Sequence, residues 1–388
     1  MPALAGSTDH ADSPRQLAGG APEPRPQEMS ECRAEAEGED EVNRRQFGVS
    51  ALSAIALTGT MTQLPQQPLP SAKRLPRQPL ASGKRLGLAE VRGWLTFAEE
   101  VDQRDQREGG AGLVREAHTT LLQARGQLDS AHCDPATATA AASAVGNVAV
   151  ITGWVAYDSE HHDLARACYR EGLELSARSG DDDLAVHSLL NAAALEISLS
   201  RQGSGNPYLA LQNINRAAQI AQHWKPGRIH ALIAVRQAQA WARIGSHDDF
   251  RSAMNHAHAA MDTAWNSELL THCPRWLRFV DPIELAGHEA RAYGDLGDHR
   301  AALDLYERAL EGQGVRNEAN TRAWYAATRA AVGDLRGALA EAEPVLATLE
   351  DIGSTRTLRV LAPLRSHGSK AEEFTHRYDK IAQKALTT

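Results

Sequence analysis

Residues 294–310 read GDLGDHRAALDLYERAL and join two predicted helices. Gly297 predicts the end of the first helix, because glycine readily adopts the left-handed backbone found there, and Asp298 predicts the cap of the second. One face of each helix carries small residues and a tyrosine at helical spacing: Ala286, Ala290 and Tyr293, then Ala302, Tyr306 and Ala309. Two antiparallel helices can therefore pack closely here. One such hairpin cannot bury its apolar face alone, so the stretch predicts neighbouring hairpins.

The same pattern recurs along the chain, in residues 153–172, 192–217, 238–257 and 326–345. Its spacing is that of the tetratricopeptide motif, a helical hairpin of about 34 residues, although the distance between successive hairpins is irregular. Alternation typical of a β-strand appears nowhere for long. The sequence therefore predicts an all-α fold: an α-solenoid of irregular tetratricopeptide-type helical hairpins.

Composition divides the 388-residue chain into three parts. Residues 1–42 carry proline, glycine and acid with little to bury, so we predict a disordered arm. Residues 43–87 combine a short helix with a proline-rich linker. Residues 88–388 are predicted to form the tetratricopeptide-like helical domain.

Charge and hydropathy argue against several kinds of partner. The net charge of −8 is unlike a generally basic nucleic-acid-binding surface, so we expect no direct specific binding of nucleic acid. No apolar run approaches the length needed to span a bilayer, so no membrane partner is expected. The four cysteines are far apart and form no CxxC pair, which argues against a zinc site. We expect no metal and no cofactor.

Catalytic groups are not predicted either. His161 and His162 are adjacent, while His256 and His258 are two apart, and helical residues at those spacings do not face each other. The three aspartates at 181–183 lie at a predicted helix start, where negative charge is favoured. No nucleophile motif of a known hydrolase appears. The sequence therefore predicts a protein that is not an enzyme.

A concave groove, lined by the first helices of successive hairpins, is the predicted binding site for a peptide, a small ligand or a protein partner. Aligning the hairpins places five polar or aromatic side chains there: Asn147, Trp154, Asn191, Gln239 and Arg291. Asparagine can donate to and accept from a peptide backbone, and arginine can clamp a carboxylate or phosphate. The alternative is that these are ordinary exposed helix side chains. Trp276 and Phe279 are expected to anchor an insertion at 266–281 in the core. The sequence does not determine the oligomeric state.

Residues 276–288 read WLRFVDPIELAGH and resemble the W-[LV]-R-F-x-D-x-x-E-L-A segment of an actinobacterial regulator family. In that family an XRE-type helix-turn-helix precedes a tetratricopeptide-like sensor region. Residues 153–158, GWVAYD, and 107–110, REGG, resemble two further motifs of the sensor. The resemblance implies a cytoplasmic regulatory or adaptor protein acting in transcriptional regulation. Residues 1–42 show no helix pair that could enter a major groove, so the family's DNA-binding activity is not carried over.

Residues 43–49, NRRQFGV, precede a mildly apolar segment and resemble a twin-arginine export signal. The alternative function is therefore an exported helical scaffold protein. Against it, the apolar part is short and no clear A-x-A cleavage site follows.

Overall fold

A computed structural model describes residues 85–310 and 315–387. The predicted arm at 1–42 and the twin-arginine segment lie outside these residues, as does nearly all of the proline-rich linker. The described residues form fourteen α-helices and no strand, which confirms the all-α prediction. An isolated bridge joins Arg85 to His132.

Most of the helices follow one another with few intervening residues. They are α1 Leu88–Glu108, α2 Val114–Ser130, α3 Pro135–Asp158, α4 His162–Ser179, α5 Asp182–Ser200, α6 Pro207–Ala221, α7 Arg228–Ile244, α8 His247–Ser267, α9 Pro282–Asp295, α10 His299–Ala309, α11 Val315–Ala331, α12 Leu335–Asp351, α13 Thr355–Val360 and α14 Glu372–Thr387. Two 3₁₀ helices lie at Arg275–Leu277 and Ala362–Ala371.

The predicted glycine and aspartate signals separate the helices as expected. Gly297 and Gly333 have φ of 83° and 86°, the left-handed region that glycine enters without steric cost. Asp298 then accepts a hydrogen bond from the amide of Ala301 at 3.1 Å, which caps α10. Asp334 caps α12 in the same way. These helix boundaries follow from local chemistry alone.

Small residues allow the paired helices to approach closely. Ala302 and Ala309 of α10 are fully buried, and Tyr306 packs beside them. In the α3–α4 pair a Cβ added to Gly153 would lie 2.6 Å from the ring of Tyr169, so no larger side chain fits there without movement. Backbone proximity of this kind is what the alanine and glycine spacing predicted.

The odd-numbered helices from α3 to α13 contact one another in chain order, and α13 contacts α3 again. We call these six the inner helices. Each even-numbered helix from α4 to α12 packs against the inner helix that precedes it. In the last inner helix, Thr357 and Leu358 of α13 are buried, and Arg356 meets the C-terminal end of α3.

Helix α3 corrects one sequence expectation. Among the described helices it alone is long and apolar enough to cross a bilayer by length and composition, whereas no such run was expected. Its small apolar residues are mostly buried because α1, α2 and α4 surround it. A helix that is apolar all round is typical of the centre of a large helical protein as well as of a membrane.

The insertion between α8 and α9 reaches back to earlier helices. The ring of Trp276 stacks on His187 of α5, with 4.1 Å between centroids, and its Nε1 donates to Asp183 at 3.0 Å. Trp276 thus anchors the insertion as expected. The expectation for Phe279 is wrong, since its side chain is 40% exposed. Leu277 and Val280 are the buried residues of this turn, because residues three apart share a face of a 3₁₀ turn.

Candidate functional site

Two of the five predicted groove residues meet between α7 and α9. Gln239 and Arg291, only 2% and 7% exposed, approach the same ring nitrogen, Nδ1 of His288. Nε2 of Gln239 lies 3.1 Å from that nitrogen, and Nη2 of Arg291 lies 2.6 Å from it. This contact joins two neighbouring inner helices, α7 and α9, through polar side chains. Apolar side chains would be sufficient for packing alone.

Trp154, a third predicted residue, faces the C-terminal part of the chain. Its Nε1 donates to Asp105 of α1 at 2.9 Å, and its ring meets Tyr157 edge-on. The guanidinium of Arg356 lies 5.6 Å from the Trp154 ring centroid and 5.2 Å from that of Tyr157. Stacking of a cation on two aromatic rings fixes both the rings and the arginine.

Asn147 and Asn191 do not join these groups. The side-chain amide of Asn147 donates to the carbonyl of Ser143 in its own helix at 3.0 Å. The side chain of Asn191 is half-buried and forms no hydrogen bond with the described residues. The structure therefore brings Gln239 and Arg291 together, and it links neither asparagine to them.

Three residues that sequence reasoning missed complete the arrangement: Arg236, His288 and Arg356. The positive charges of Arg236 and Arg356 both act on Glu284 and His288, which places the groups in one electrostatic neighbourhood. We call the following side chains the polar interior: Trp154, Tyr157, Arg236, Gln239, Glu284, His288, Arg291 and Arg356.

The hydrogen bonds of the polar interior determine the tautomer of His288. Arg291 and Gln239 both direct N–H groups at Nδ1, so this nitrogen must accept and the proton belongs on Nε2. The oxygen of Gln239 accepts from Nη1 of Arg236 at 3.0 Å, which orients the amide. Arg236, Gln239, His288 and Arg291 thus form one continuous network.

Three N–H groups of this network have no acceptor among the described residues. They are Nε of Arg236, Nε2 of His288 and Nη1 of Arg291, all inaccessible to solvent. Nε2 of His288 lies 3.3 Å from Oε1 of Glu284 without the alignment of a hydrogen bond. Each buried donor without an acceptor has lost its hydrogen bonds to water without a replacement, so an acceptor on a bound molecule would be favourable here.

Burial shifts the pKa values of these groups in a consistent way. It lowers the pKa of Arg236 to about 10, so the side chain remains a cation at neutral pH. Burial also lowers the pKa of His288 well below its usual value, with Arg291 adding to the effect, which leaves the imidazole neutral. Burial raises the pKa of Glu284, against the opposing charge of Arg291.

A second network holds α11 and α13 against the end of α3. Asp158 is fully buried and lies 3.0 Å from Nη2 of Arg316 and 3.1 Å from Nε of Arg356. Arg316 also pairs with the buried carboxylate of Asp105. Arg356 therefore links this second network to two aromatic rings of the polar interior, because its guanidinium contacts Asp158 and also covers Trp154 and Tyr157.

A sequence signal existed for part of this site. Arg236 precedes Gln239 by three residues and His288 precedes Arg291 by three, so each lies on the same helix face as a predicted groove residue. No comparable signal existed for Arg356, which lies far along the chain from Trp154.

The described residues hold no group of three or more histidine, cysteine or acidic side chains that could bind a metal ion. No protein-family model matches the sequence, and no curated protein matches it. The resemblance to the regulator family therefore stays a prediction.

Proposed function

We propose that the chain is a non-enzymatic regulatory or adaptor protein that binds a small ligand in its polar interior. The observation that supports this is the shared contact of Gln239 and Arg291 with His288, buried between α7 and α9. Helices that only need to pack would place apolar side chains there, because buried polar groups destabilise unless they are fully paired.

The proposed framework is the α-solenoid of irregular tetratricopeptide-type hairpins. Its support is the packing of each even-numbered helix on the preceding inner helix, together with the row of contacts between inner helices. In such an array the inner helices present one shared surface to a ligand.

A small ligand suits this surface better than an extended peptide. The guanidinium of Arg356 already covers Trp154 and Tyr157, where a peptide in the groove would lie. A peptide or protein partner would instead respond to the ligand indirectly, through α11 and α13, which Asp158 connects to the polar interior. From the resemblance to the regulator family, we further propose that such a response acts in transcriptional regulation in the cytoplasm.

The test is retention of a small molecule by the full chain. The protein is incubated with a metabolite extract, desalted and denatured, and the released compounds are identified by mass spectrometry. The double variant Gln239→Leu/Arg291→Leu should retain none of the compound bound by the wild type. The control is Arg377→Leu, which removes an arginine that pairs with Glu343 and Glu350 away from the polar interior. Equal retention by the double variant, or no retention by the wild type, contradicts the proposal.

A further inference from the structure

We infer that the ligand carries an oxyanion group, a phosphate or a carboxylate, that binds to Arg236, His288 and Arg291. This inference rests on the proposed function and specifies the chemistry of its ligand. It concerns the three N–H groups that the polar interior leaves without acceptors.

The unpaired atoms are all of one kind. Nε of Arg236, Nε2 of His288 and Nη1 of Arg291 can each donate and none can accept. His288 and Arg291 are only 6% and 7% exposed, so bulk water does not replace the missing partner. A ligand that completes this network must supply acceptors only, and carboxylate and phosphate oxygens do so.

The charge of the surroundings favours an anion over a neutral acceptor. Arg236 forms no ion pair with any carboxylate of the described residues, and its hydrogen bond goes to neutral Gln239. Two nearby carboxylates are already paired with other arginines and do not form an ion pair with Arg236. Arg201 and Arg243 share Asp295, while Arg316 and Arg356 share Asp158.

Glu284 is the remaining carboxylate of the polar interior, and it lies 3.7 Å from Nη2 of Arg291. Its charge acts on both Arg291 and Arg236, but it lies at ion-pair distance from Arg291 alone. A neutral amide would satisfy the N–H groups but would leave the half-buried guanidinium of Arg236 without an ion-pair partner. An oxyanion removes both costs, because it accepts hydrogen bonds and balances the charge.

The first experiment measures binding of two simple probes to the full chain. Thermal unfolding and titration calorimetry are recorded with inorganic phosphate and with succinate, at constant ionic strength set by chloride. One of the two should raise the melting temperature in a saturable way, because a ligand that binds only the folded state stabilises it. A response to phosphate alone identifies a phosphate-bearing ligand, and a response to succinate alone a carboxylate-bearing one.

The second experiment removes the positive charge of Arg236. In Arg236→Gln the dissociation constant of the effective probe should rise about ten- to a hundredfold, as expected for a lost hydrogen bond to a charged group. The ligand-free variant should melt at a higher temperature than the wild type, because it removes the charge of a half-buried cation that has no ion-pair partner among the described residues and whose Nε has no acceptor. If Arg236 only stabilised the fold, the ligand-free variant would instead melt at a lower temperature than the wild type. The control Arg377→Gln should bind the probe as the wild type does.

Two outcomes overturn the inference. One is the absence of a saturable response of the wild type to either probe. The other is an unchanged dissociation constant in Arg236→Gln. If the wild type nevertheless retains a neutral compound that the Gln239→Leu/Arg291→Leu variant loses, the proposed function stands and only the anionic character of the ligand is refuted.

Discussion

The carboxylate of Asp158 accepts a hydrogen bond from Nε of Arg356 at 3.1 Å, although 198 residues separate the two along the chain. This contact joins the last residue of α3 to α13. Arg316 adds a second cation to the same carboxylate, and Ser354 donates to it at 3.0 Å. Burial alone would raise the pKa of Asp158, but the charges of Arg316 and Arg356 outweigh it and the pKa is lowered. An ionised group therefore helps to hold α13 against the end of α3.

Asp158→Ala should be strongly destabilising, because it removes the buried carboxylate with which Arg316 and Arg356 both pair. Removing one partner of a buried ion pair costs about 3–5 kcal/mol, and urea unfolding of the full chain measures it. The control is Asp129→Ala, whose carboxylate is half-exposed and pairs with Arg125. It should cost less than about 1 kcal/mol. Equal effects of the two substitutions would mean that Asp158 does not hold the helices together.

Gly153→Ala tests the close approach of α3 and α4. The new methyl group would lie 2.6 Å from the ring of Tyr169, so the helices must separate or the ring must move. Overpacking of this kind costs about 1–3 kcal/mol of unfolding free energy. Gly126→Ala in α2 is the matched control, since its Cβ would meet nothing within 4 Å. It should stabilise the protein by about 0.5–1 kcal/mol, because alanine favours a helix interior. A loss of stability in both variants would contradict the packing described.

Local chemistry made the helix boundaries predictable. Gly297, Asp298, Gly333 and Asp334 act through their own backbone angles and through hydrogen bonds to residues three positions later. A sequence displays such short-range relationships directly. The buried face of α10 was predictable for the same reason, since Ala302, Tyr306 and Ala309 recur at helical spacing.

The polar interior was only partly predictable, because it depends on distant pairing. Aligning the hairpins selected Gln239 and Arg291, and His288 shares a helix face with Arg291, but the sequence does not show that one ring nitrogen of His288 accepts from both side chains. The partner of Asp158 was also hidden, since many arginines lie at suitable helix positions and only the path of the chain selects Arg356. Phe279 was misplaced because residue type alone does not show which side of a short turn faces the core.

The pair formed by His258 of α8 and Glu289 of α9 should make stability depend on pH. Their hydrogen bond, 2.9 Å between Nε2 and Oε2, raises the pKa of His258 above its unfolded value. A raised pKa means that the stabilisation is complete below about pH 6.5 and is lost as the pH rises through the folded value. The melting temperature of the wild type should therefore exceed that of His258→Ala by more at about pH 6 than at about pH 8.5.

The control for this pair is His256→Ala, an exposed histidine of the same helix that forms no ion pair among the described residues. This substitution leaves the bond between His258 and Glu289 in place, so it shows how the loss of another histidine from α8 affects the melting temperature. A difference between the wild type and His258→Ala that is the same at both pH values would show that the pair does not form in solution.

Trp276→Ala should change the titration of His187, the residue on which its ring stacks. Burial lowers the pKa of His187 to about 3. Between that value and about 6.5 the unfolded chain binds a proton that the folded chain does not, so the wild type loses stability as the pH falls through this window. Without the indole ring, His187 should become exposed and its pKa should rise towards its usual value.

Nuclear magnetic resonance of the histidine rings measures the pKa of His187, with His187→Gln used to assign the signal. Trp265→Ala, at a tryptophan that is 58% exposed near the same insertion, should leave the titration unchanged. An unaltered pKa in Trp276→Ala would mean that the insertion does not seat on α5.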